Sequence, residues 1–215
     1  RSGQRLYGWK IAATSIEGQN HIGVDGPLAG RLLQNRAFES GAAVPLAHSL
    51  MKVAEAEFAF RMGRDLPPRT QPYSRQEVLD AVQSLHPAIE IPDSRFEDFV
   101  RVGAAQLIAD NACANPFVLG PATQANWRAV NLAAHEVVAR IDGKIAGRGI
   151  GANVLGDPRI ALTWIANELS TIGETLAAGQ VVTTGTCLKP VSIRPENHVL
   201  ADFGQFGVVE ARFAA

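Results

Sequence analysis

The residues best suited to chemistry in this chain are three glutamates in two segments that resemble β-strands. Glu55 and Glu57 lie in residues 52–60, where apolar and polar side chains alternate as in a strand. Residues two apart on a strand share a face, so this pair would lie about 7 Å apart among apolar neighbours. Two such carboxylates repel each other and resist losing water, and a divalent cation between them would remove both costs.

The third acid is Glu90, which stands between isoleucines in the short strand-like run 87–92. An isolated Glu-x-Glu pair on a strand is usually a solvated face, so the pair alone indicates little. A third carboxylate in the same kind of environment favours the other interpretation. The sequence therefore predicts that Glu55, Glu57 and Glu90 bind one divalent cation.

Composition excludes several classes of function. The chain has 215 residues, of which 47% are hydrophobic and 19% charged, with a net charge of −1. That length is sufficient for one domain with a substantial core, and the charge gives no reason to expect nucleic acid or a membrane as a partner. Cys113 and Cys187 form no metal-binding pattern and are too few for a disulfide scaffold, which predicts a reducing, cytoplasmic setting.

The elements that must position the glutamates are mostly strands. A capping box at 74–77 predicts a helix over 75–85, Asp157 and Pro158 predict a helix to about 170, and Asp142-Gly143 predicts a hairpin turn. Residues 14–30 read as a glycine-rich connection, 30–36 and 104–109 as short helix turns. Strands are predicted at 5–13, 52–60, 87–92, 131–140, 144–149, 180–185, 190–193, 199–203 and 208–213. The fold class is α+β, mainly β: a mixed β-sandwich or β-roll with a few helices.

Several segments, in order along nearly the whole chain, resemble a known family. They are residues 8–15, 23–27, 55–57, 87–90, 110–112, 156–158, 164–166 and 179–185. The chain resembles the 2-keto-4-pentenoate hydratase and 4-oxalocrotonate decarboxylase family, within the fumarylacetoacetate hydrolase C-terminal-domain superfamily. The resemblance implies a single catalytic domain over residues 1–215 around one metal site, without the N-terminal helical segment usual in the family.

The resemblance also implies a cofactor and a catalytic residue. Three carboxylates are hard oxygen ligands, suited to Mg²⁺ or Mn²⁺. The substrate would be a small 2-oxo acid, bound through its carboxylate and 2-oxo oxygens and reacting through an enolate that the cation stabilises. Lys10, between Trp9 and Ile11, matches the family lysine that contacts substrate and serves in proton transfer.

Three further residues are predicted to bind substrate. Thr186 follows the glycine turn that ends the 180–185 strand, and Lys189 lies close behind it. Leu28 stands where hydratases of the family carry an acid that assists water addition, and related decarboxylases have an apolar residue there. Asp110 and Asn111 match a family segment and equally fit a structural turn.

These features leave three hypotheses. The first is a metal-dependent hydratase of a short 2-oxo-4-enoate or 2-hydroxydienoate, as in meta-cleavage aromatic degradation. The second, which Leu28 favours, is a 4-oxalocrotonate-type decarboxylase. The third is a non-catalytic paralogue that acts as a partner subunit. We also predict a homo-oligomer, with association to a related hydratase or decarboxylase as an open alternative.

The histidines are predicted to lie outside the site. His135 and Glu136 would be adjacent on a strand and face opposite ways. His21, His48, His86 and His198 lack ligand spacing and are interpreted as solvated or capping residues. A C–C hydrolase is disfavoured because the sequence shows no convincing His-Glu pair to activate water.

Overall fold

The structure is a computed structural model that describes residues 3–215, and two β-sheets dominate it. Within the described residues the elements are β1 (Leu6–Ala12), α1 (Ile16–Ile22), β2 (Leu28–Leu33), β3 (Ala37–Glu39), β4 (Ala43–Pro45), β5 (Val53–Met62), α2 (Arg75–Asp80), β6 (Val82–Glu90), α3 (Ala104–Ala109), β7 (Phe117–Leu119), β8 (Glu136–Ile141), β9 (Lys144–Ile150), α4 (Pro158–Thr171), β10 (Val181–Thr186), β11 (Val191–Ser192), β12 (His198–Asp202) and β13 (Val208–Ala214).

Both sheets mix parallel and antiparallel pairs. The larger sheet has the order β2-β1-β10-β5-β6-β7-β3, with β11 paired to part of β5, and the smaller has the order β4-β13-β12-β8-β9. The β1–β10, β3–β7 and β4–β13 pairs are parallel. This mainly β architecture with a few helices confirms the predicted fold class. The predicted single domain over 1–215 stays a prediction, and its first two residues lie outside the described ones.

The two faces of strand β5 have different surroundings: one packs in the hydrophobic core and the other carries the glutamates. Ala54, Ala56, Phe58 and Phe60 belong to the main hydrophobic core, which spans both sheets and α4. The Phe58 ring packs edge-on against the Phe203 ring, with centroids 5.0 Å apart. The alternation predicted for this strand is confirmed, and it leaves the opposite face of β5 to the glutamates.

The predicted helix over 75–85 is only partly right. Ser74 and Glu77 form the expected capping box, but α2 ends at Asp80 and β6 begins at Val82. The spacing of Val82 and Leu85 is typical of a helix, yet both residues are buried in strand β6. Eight residues of β6 pair with β5 in antiparallel register, and this long-range pairing overrides the local periodicity.

The segment 14–36 was predicted wrongly. Residues 16–22 form α1, which the Ser15 side chain caps and Gly23 (φ +64°) ends. Residues 28–33 form β2 rather than a helix turn, and only Gln34–Arg36 makes a 3-10 turn. A strand with glycine at its centre gives a weak signal. Gly30 is needed because a Cβ there would lie 2.3 Å from the Asn111 carbonyl oxygen.

Other predicted elements are confirmed with adjusted ends. Asp142 (φ +51°) and Gly143 (φ +80°) join β8 to β9 in the left-handed turn expected. The first hairpin strand starts at residue 136 instead of 131, so His135 precedes the strand rather than lying on it. Asp157 caps α4, whose first residue is a proline.

Candidate metal centre

Strand register brings the three predicted ligands together. In the antiparallel pairing of β5 with β6, Glu55 lies opposite Glu90 and Glu57 lies opposite Ala88. One carboxylate oxygen from each glutamate lies within 4.8 Å of the other two. Glu57 and Glu90 are fully buried and Glu55 is partly buried. The 33 residues that separate Glu57 from Glu90 in the sequence are therefore bridged by the antiparallel pairing of β5 with β6.

The cluster has carboxylate oxygens without partners. Glu57 Oε2 accepts a hydrogen bond of 2.8 Å from the backbone amide of Gly185. Glu57 Oε1 and Glu90 Oε2 are buried and accept no hydrogen bond, while Glu90 Oε1 faces the Lys10 ammonium. Buried acceptors left unpaired are costly, and oxygen atoms in this arrangement suit a hard divalent cation. The donor set therefore fits the Mg²⁺ or Mn²⁺ that the sequence predicted.

Gly185 reaches Glu57 because it has no side chain. Its φ of +101° is a conformation that other residues rarely adopt. A Cβ at this position would lie 1.9 Å from the Thr14 hydroxyl oxygen. The register of β10 against β5 also shifts between Thr183 and Thr186, so an irregular turn in the strand directs this amide at the carboxylate.

Burial and mutual repulsion control the charge of the glutamates. Burial raises the pKa of Glu55 to about 7, with the Glu90 charge adding to the effect. Burial, followed by the charges of Glu90 and Glu55, raises the pKa of Glu57 well above its usual range. Burial also raises the pKa of Glu90. Without a cation, the cluster resists full ionisation near neutral pH.

Lys10 supplies part of the missing positive charge. Its Nζ lies 3.1 Å from Glu90 Oε1 and donates a hydrogen bond of 3.1 Å to the Ala112 carbonyl oxygen. Burial alone would lower the pKa of Lys10, but the charges of Glu90, Glu55 and Glu57 outweigh it and raise the pKa. One positive charge among three carboxylates leaves two negative charges uncompensated, which matches one divalent cation.

The loop behind Lys10 adopts unusual backbone conformations. Asn111, Ala112 and Cys113 all have φ between +51° and +60°, which costs free energy for residues other than glycine. The Asn111 side chain exchanges hydrogen bonds of 2.7 and 2.9 Å with the backbone of Arg31, and these bonds hold the loop. The strained conformation turns the Ala112 carbonyl toward Lys10.

Asp110, which precedes this loop, has a structural role in the described contacts. Ser94 Oγ donates a hydrogen bond of 2.6 Å to Asp110 Oδ2, and the Arg95 guanidinium pairs with the other oxygen. Burial opposes ionisation, but these donors outweigh it and lower the pKa of Asp110. Of the two open readings of the 110–111 segment, the structure supports the structural turn.

A pocket of about 550 Å³ opens beside the cluster. Lys10, Leu28, Thr186 and Lys189 all line it, together with Glu55. The Thr186 hydroxyl donates to the Leu188 carbonyl at 2.6 Å, so toward the pocket it offers an acceptor. The structure therefore gathers the predicted residues around one cavity, while their individual roles stay predictions.

The pocket has a second, apolar wall that the sequence did not indicate. A hydrophobic cluster separate from the main core contributes Leu28, Leu107, Met51, Phe99 and Ile22 to it. Apart from the interpretation of Leu28, none of these positions stood out, because the wall is assembled from three regions that are distant in the sequence, 22–28, 51 and 99–107. It gives the cavity one polar side and one apolar side, as small-molecule sites commonly have.

Glu17 and His21 on α1 also line the pocket. The interpretation of His21 as a solvated or capping residue missed this position. A signal was present in the sequence: Ser15 and Gly23 bracket a short helix, and residues four apart on a helix share a face. The glycine-rich surroundings hid it.

The sequence of the chain was compared with protein families and with known proteins. Residues 33–214 match the model of the fumarylacetoacetate (FAA) hydrolase C-terminal family. The chain belongs to this family. It is 33% identical to a 2-keto-4-pentenoate hydratase of Paraburkholderia xenovorans (strain LB400) over 98% of this chain and 77% of the relative. It is 32% identical to a 4-oxalocrotonate decarboxylase of a Pseudomonas species over 95% of this chain and 77% of that protein.

Solved structures of the FAA hydrolase C-terminal fold agree. The 4-oxalocrotonate decarboxylase from Pseudomonas putida G7, complexed with magnesium and adipate, superposes with a TM-score of 0.88 at 28% identity, over 98% of this chain and 79% of that chain. The family resemblance is thereby confirmed. No helix among residues 3–215 has the length and apolar character needed to cross a membrane.

Proposed function

We propose that Glu55, Glu57 and Glu90 hold a divalent cation, Mg²⁺ or Mn²⁺. Support comes from three converging carboxylates with buried, unpartnered oxygens, and from the magnesium complex of the Pseudomonas putida G7 decarboxylase. When bound, such an ion would act as a Lewis acid on the 2-oxo oxygen of a substrate. The cation would also compensate the two negative charges of the glutamate cluster that the Lys10 ammonium leaves uncompensated.

We infer that the chain is a divalent-metal-dependent hydratase of a short 2-oxo-4-enoate or its 2-hydroxydienoate form. The observation that carries this proposal is the buried glutamate cluster opening onto a pocket with a polar side and an apolar side. Relatives named as hydratases, at 33% identity over nearly the whole chain, support the reaction type.

The residues of the chain would divide the work between them. Lys10 keeps its proton because of the surrounding carboxylates, so its role is to stabilise negative charge on the substrate head group. Lys189 and Thr186 would bind and orient the carboxylate end. Leu28 and its apolar neighbours would exclude bulk water from the hydrocarbon part, which strengthens the polar contacts.

Steady-state assays test this function directly. Purified protein is given 2-hydroxypenta-2,4-dienoate or a 2-oxohexenedioate, each with Mg²⁺, with Mn²⁺ or with a chelator. We expect metal-dependent formation of the 4-hydroxy-2-oxo acid from the first substrate. Carbon dioxide release from the second substrate, without hydration of the first, would contradict the hydratase assignment.

A 4-oxalocrotonate-type decarboxylase is the second candidate. Leu28 favours it, since loss of carbon dioxide needs no acid to assist water addition and this residue is apolar and 8% exposed in the pocket. The relatives named as decarboxylases support the same reading. The third hypothesis, a non-catalytic partner subunit, predicts that calorimetry detects no binding of either metal ion.

We further propose that the chain forms a homo-oligomer. Ile145 and Ile150 on β9, at the edge of the smaller sheet, are 49% and 40% exposed, and apolar side chains on a sheet edge favour association. Light scattering coupled to size exclusion would show a mass above 22.9 kDa. Association with a related hydratase or decarboxylase, and a cytoplasmic location, stay predictions.

A further inference from the structure

The proposed hydration requires a proton at the end of the substrate remote from its carboxylate. Conversion of a 2-hydroxy-2,4-dienoate to the 2-oxo-3-enoate releases the 2-hydroxyl proton to solvent, shifts the double bonds and adds a proton to C5. Water then adds its oxygen to C4 and a proton to C3. Positioned side chains accelerate such transfers by about 10²–10⁴-fold, so the pocket should contain a donor beyond the head-group residues.

Most titratable groups in the pocket are unsuited to that step. Those that line it are Lys10, Glu17, His21, Glu55, Cys113 and Lys189. Lys10 is held by Glu90, and Glu55 belongs to the ligand cluster. Burial raises the pKa of the Cys113 thiol, which keeps its proton in place.

Lys189 belongs to the head-group end of the pocket. It lies between β10, whose turn contacts Glu57 through Gly185, and β11, whose Val191 pairs with Ala54 on β5, the strand of the proposed ligands Glu55 and Glu57. A cation in that position serves the substrate carboxylate rather than the far carbon. The remaining titratable side chains are Glu17 and His21, both on α1.

Helix α1 places His21 on the apolar side of the pocket. The Ser15 cap and the left-handed Gly23 fix the two ends of the helix. The His21 ring packs edge-on against the Phe99 ring, with centroids 6.2 Å apart and planes at 72°. Phe99 lines the pocket as well and belongs to the apolar cluster with Leu28, so the imidazole adjoins the wall that would hold the hydrocarbon end.

Imidazole is the side chain that both donates and accepts a proton near neutral pH. Leu28 stands where the family resemblance leads one to expect an acid, so this wall lacks a carboxylate at that position. We propose that His21 is a catalytic residue that donates the proton to C5 of the dienoate and is then reprotonated from solvent. This inference rests on the proposed hydratase function and adds a residue to it.

The test compares His21→Ala and His21→Gln with the control His48→Gln, which changes an exposed histidine that does not line the pocket. Turnover of 2-hydroxypenta-2,4-dienoate is measured with Mg²⁺ in D₂O, and deuterium at C5 is followed by NMR. We expect kcat and the rate of deuterium incorporation at C5 to fall about 100-fold in both His21 variants, with KM nearly unchanged. Free imidazole should restore part of the rate of His21→Ala, and the control should match wild type.

Mg²⁺ titration by calorimetry shows whether each variant keeps its fold and metal site. His21 variants that bind Mg²⁺ like wild type and incorporate deuterium at C5 at the wild-type rate would overturn the role of His21. The hydratase proposal would remain intact. Loss of rate in His21→Ala without any rescue by imidazole would also overturn it. Failure of wild type itself to hydrate the dienoate with Mg²⁺ would overturn the underlying function, and the inference with it.

Discussion

The two sides of the pocket differ in how their functional groups are held. On one side, Glu57, Glu90 and Lys10 are at most 2% exposed and belong to three strands of one sheet. On the other side, the titratable groups Glu17 and His21 are exposed on a seven-residue helix beside an apolar cluster. The first side is fixed by hydrogen-bonded register, and the second depends on side-chain packing between distant segments.

This difference suggests that the two sides have different roles: the strand side would act on the reacting head group, and the apolar side would select among substrates. Charges held in a dry, rigid setting act strongly on a substrate head group, so the strand side would serve any small 2-oxo acid. The apolar side meets the part of the substrate in which such acids differ. The same glutamate cluster is therefore compatible with hydration or decarboxylation, and on the proposed function the residues around Leu28 and His21 would decide between the two reactions.

The largest expected effect comes from breaking the strand side at Glu57. Glu57→Gln keeps the shape but removes a charged ligand, and losing several kcal/mol of metal stabilisation corresponds to a fall of at least about 10³-fold in kcat/KM. The matched control is Glu136→Gln on the exposed face of β8. Activity of Glu57→Gln near the wild-type value would contradict the assigned ligand set.

Next in size is the loss of the buried cation. Lys10→Met removes the charge that faces the substrate head group, and we expect kcat to fall by about 10²–10³-fold, as when one transition-state donor is removed. Lys144→Met at the exposed first residue of β9 is the control. A change confined to KM would show that Lys10 contributes only to ground-state binding.

A smaller effect should follow from making the apolar side resemble the charged one. Leu28→Asp places a carboxylate at the apolar position 28. In the His21→Ala background we expect it to restore hydration by about tenfold, part of the range of acid–base catalysis. Product analysis by NMR measures the share of hydration. No recovery in the double variant would show that position 28 does not reach the reacting carbons.

The smallest expected effect is on stability. The raised pKa values mean that, without metal, the folded chain holds more protons than the unfolded chain between the usual pKa of 4.5 and about 7. Stability of the metal-free protein therefore falls as pH rises through this window. Adding a chelator should lower Tm by a few degrees more at about pH 8 than at about pH 5.

Glu57→Gln is the control for that stability measurement. It removes one of the repelling carboxylates, so its Tm in chelator should depend less on pH than that of wild type. An equal effect of chelator on wild type at both pH values would contradict the account of the cluster charge.

Local patterns in the sequence identified the strand side. The alternation along 52–60 and the lone acid at Glu90 predicted that three glutamates converge, and the structure brings them together on neighbouring strands, because side-chain direction on a strand follows from position alone. That they bind a metal ion stays a prediction. The capping box at Ser74 and the proline start of α4 were equally local and equally clear.

The apolar side could not be found in this way. Leu28, Met51, Phe99 and Leu107 come together only through tertiary packing, which no short window of sequence contains. Strand β2 was mistaken for a helix turn because Gly30 interrupts its pattern, and the reason for that glycine lies 81 residues away at Asn111. The long pairing of β6 with β5 likewise decided where α2 ends.

Crystals soaked with Mn²⁺ and measured at an anomalous wavelength test the central claim most directly. We predict one strong anomalous peak per chain, within about 2.2 Å of an oxygen from each of Glu55, Glu57 and Glu90, given the bond lengths typical of such ions. The same soak of Glu57→Gln crystals should show that peak greatly reduced. A wild-type map without a peak between these three carboxylates would contradict the claim.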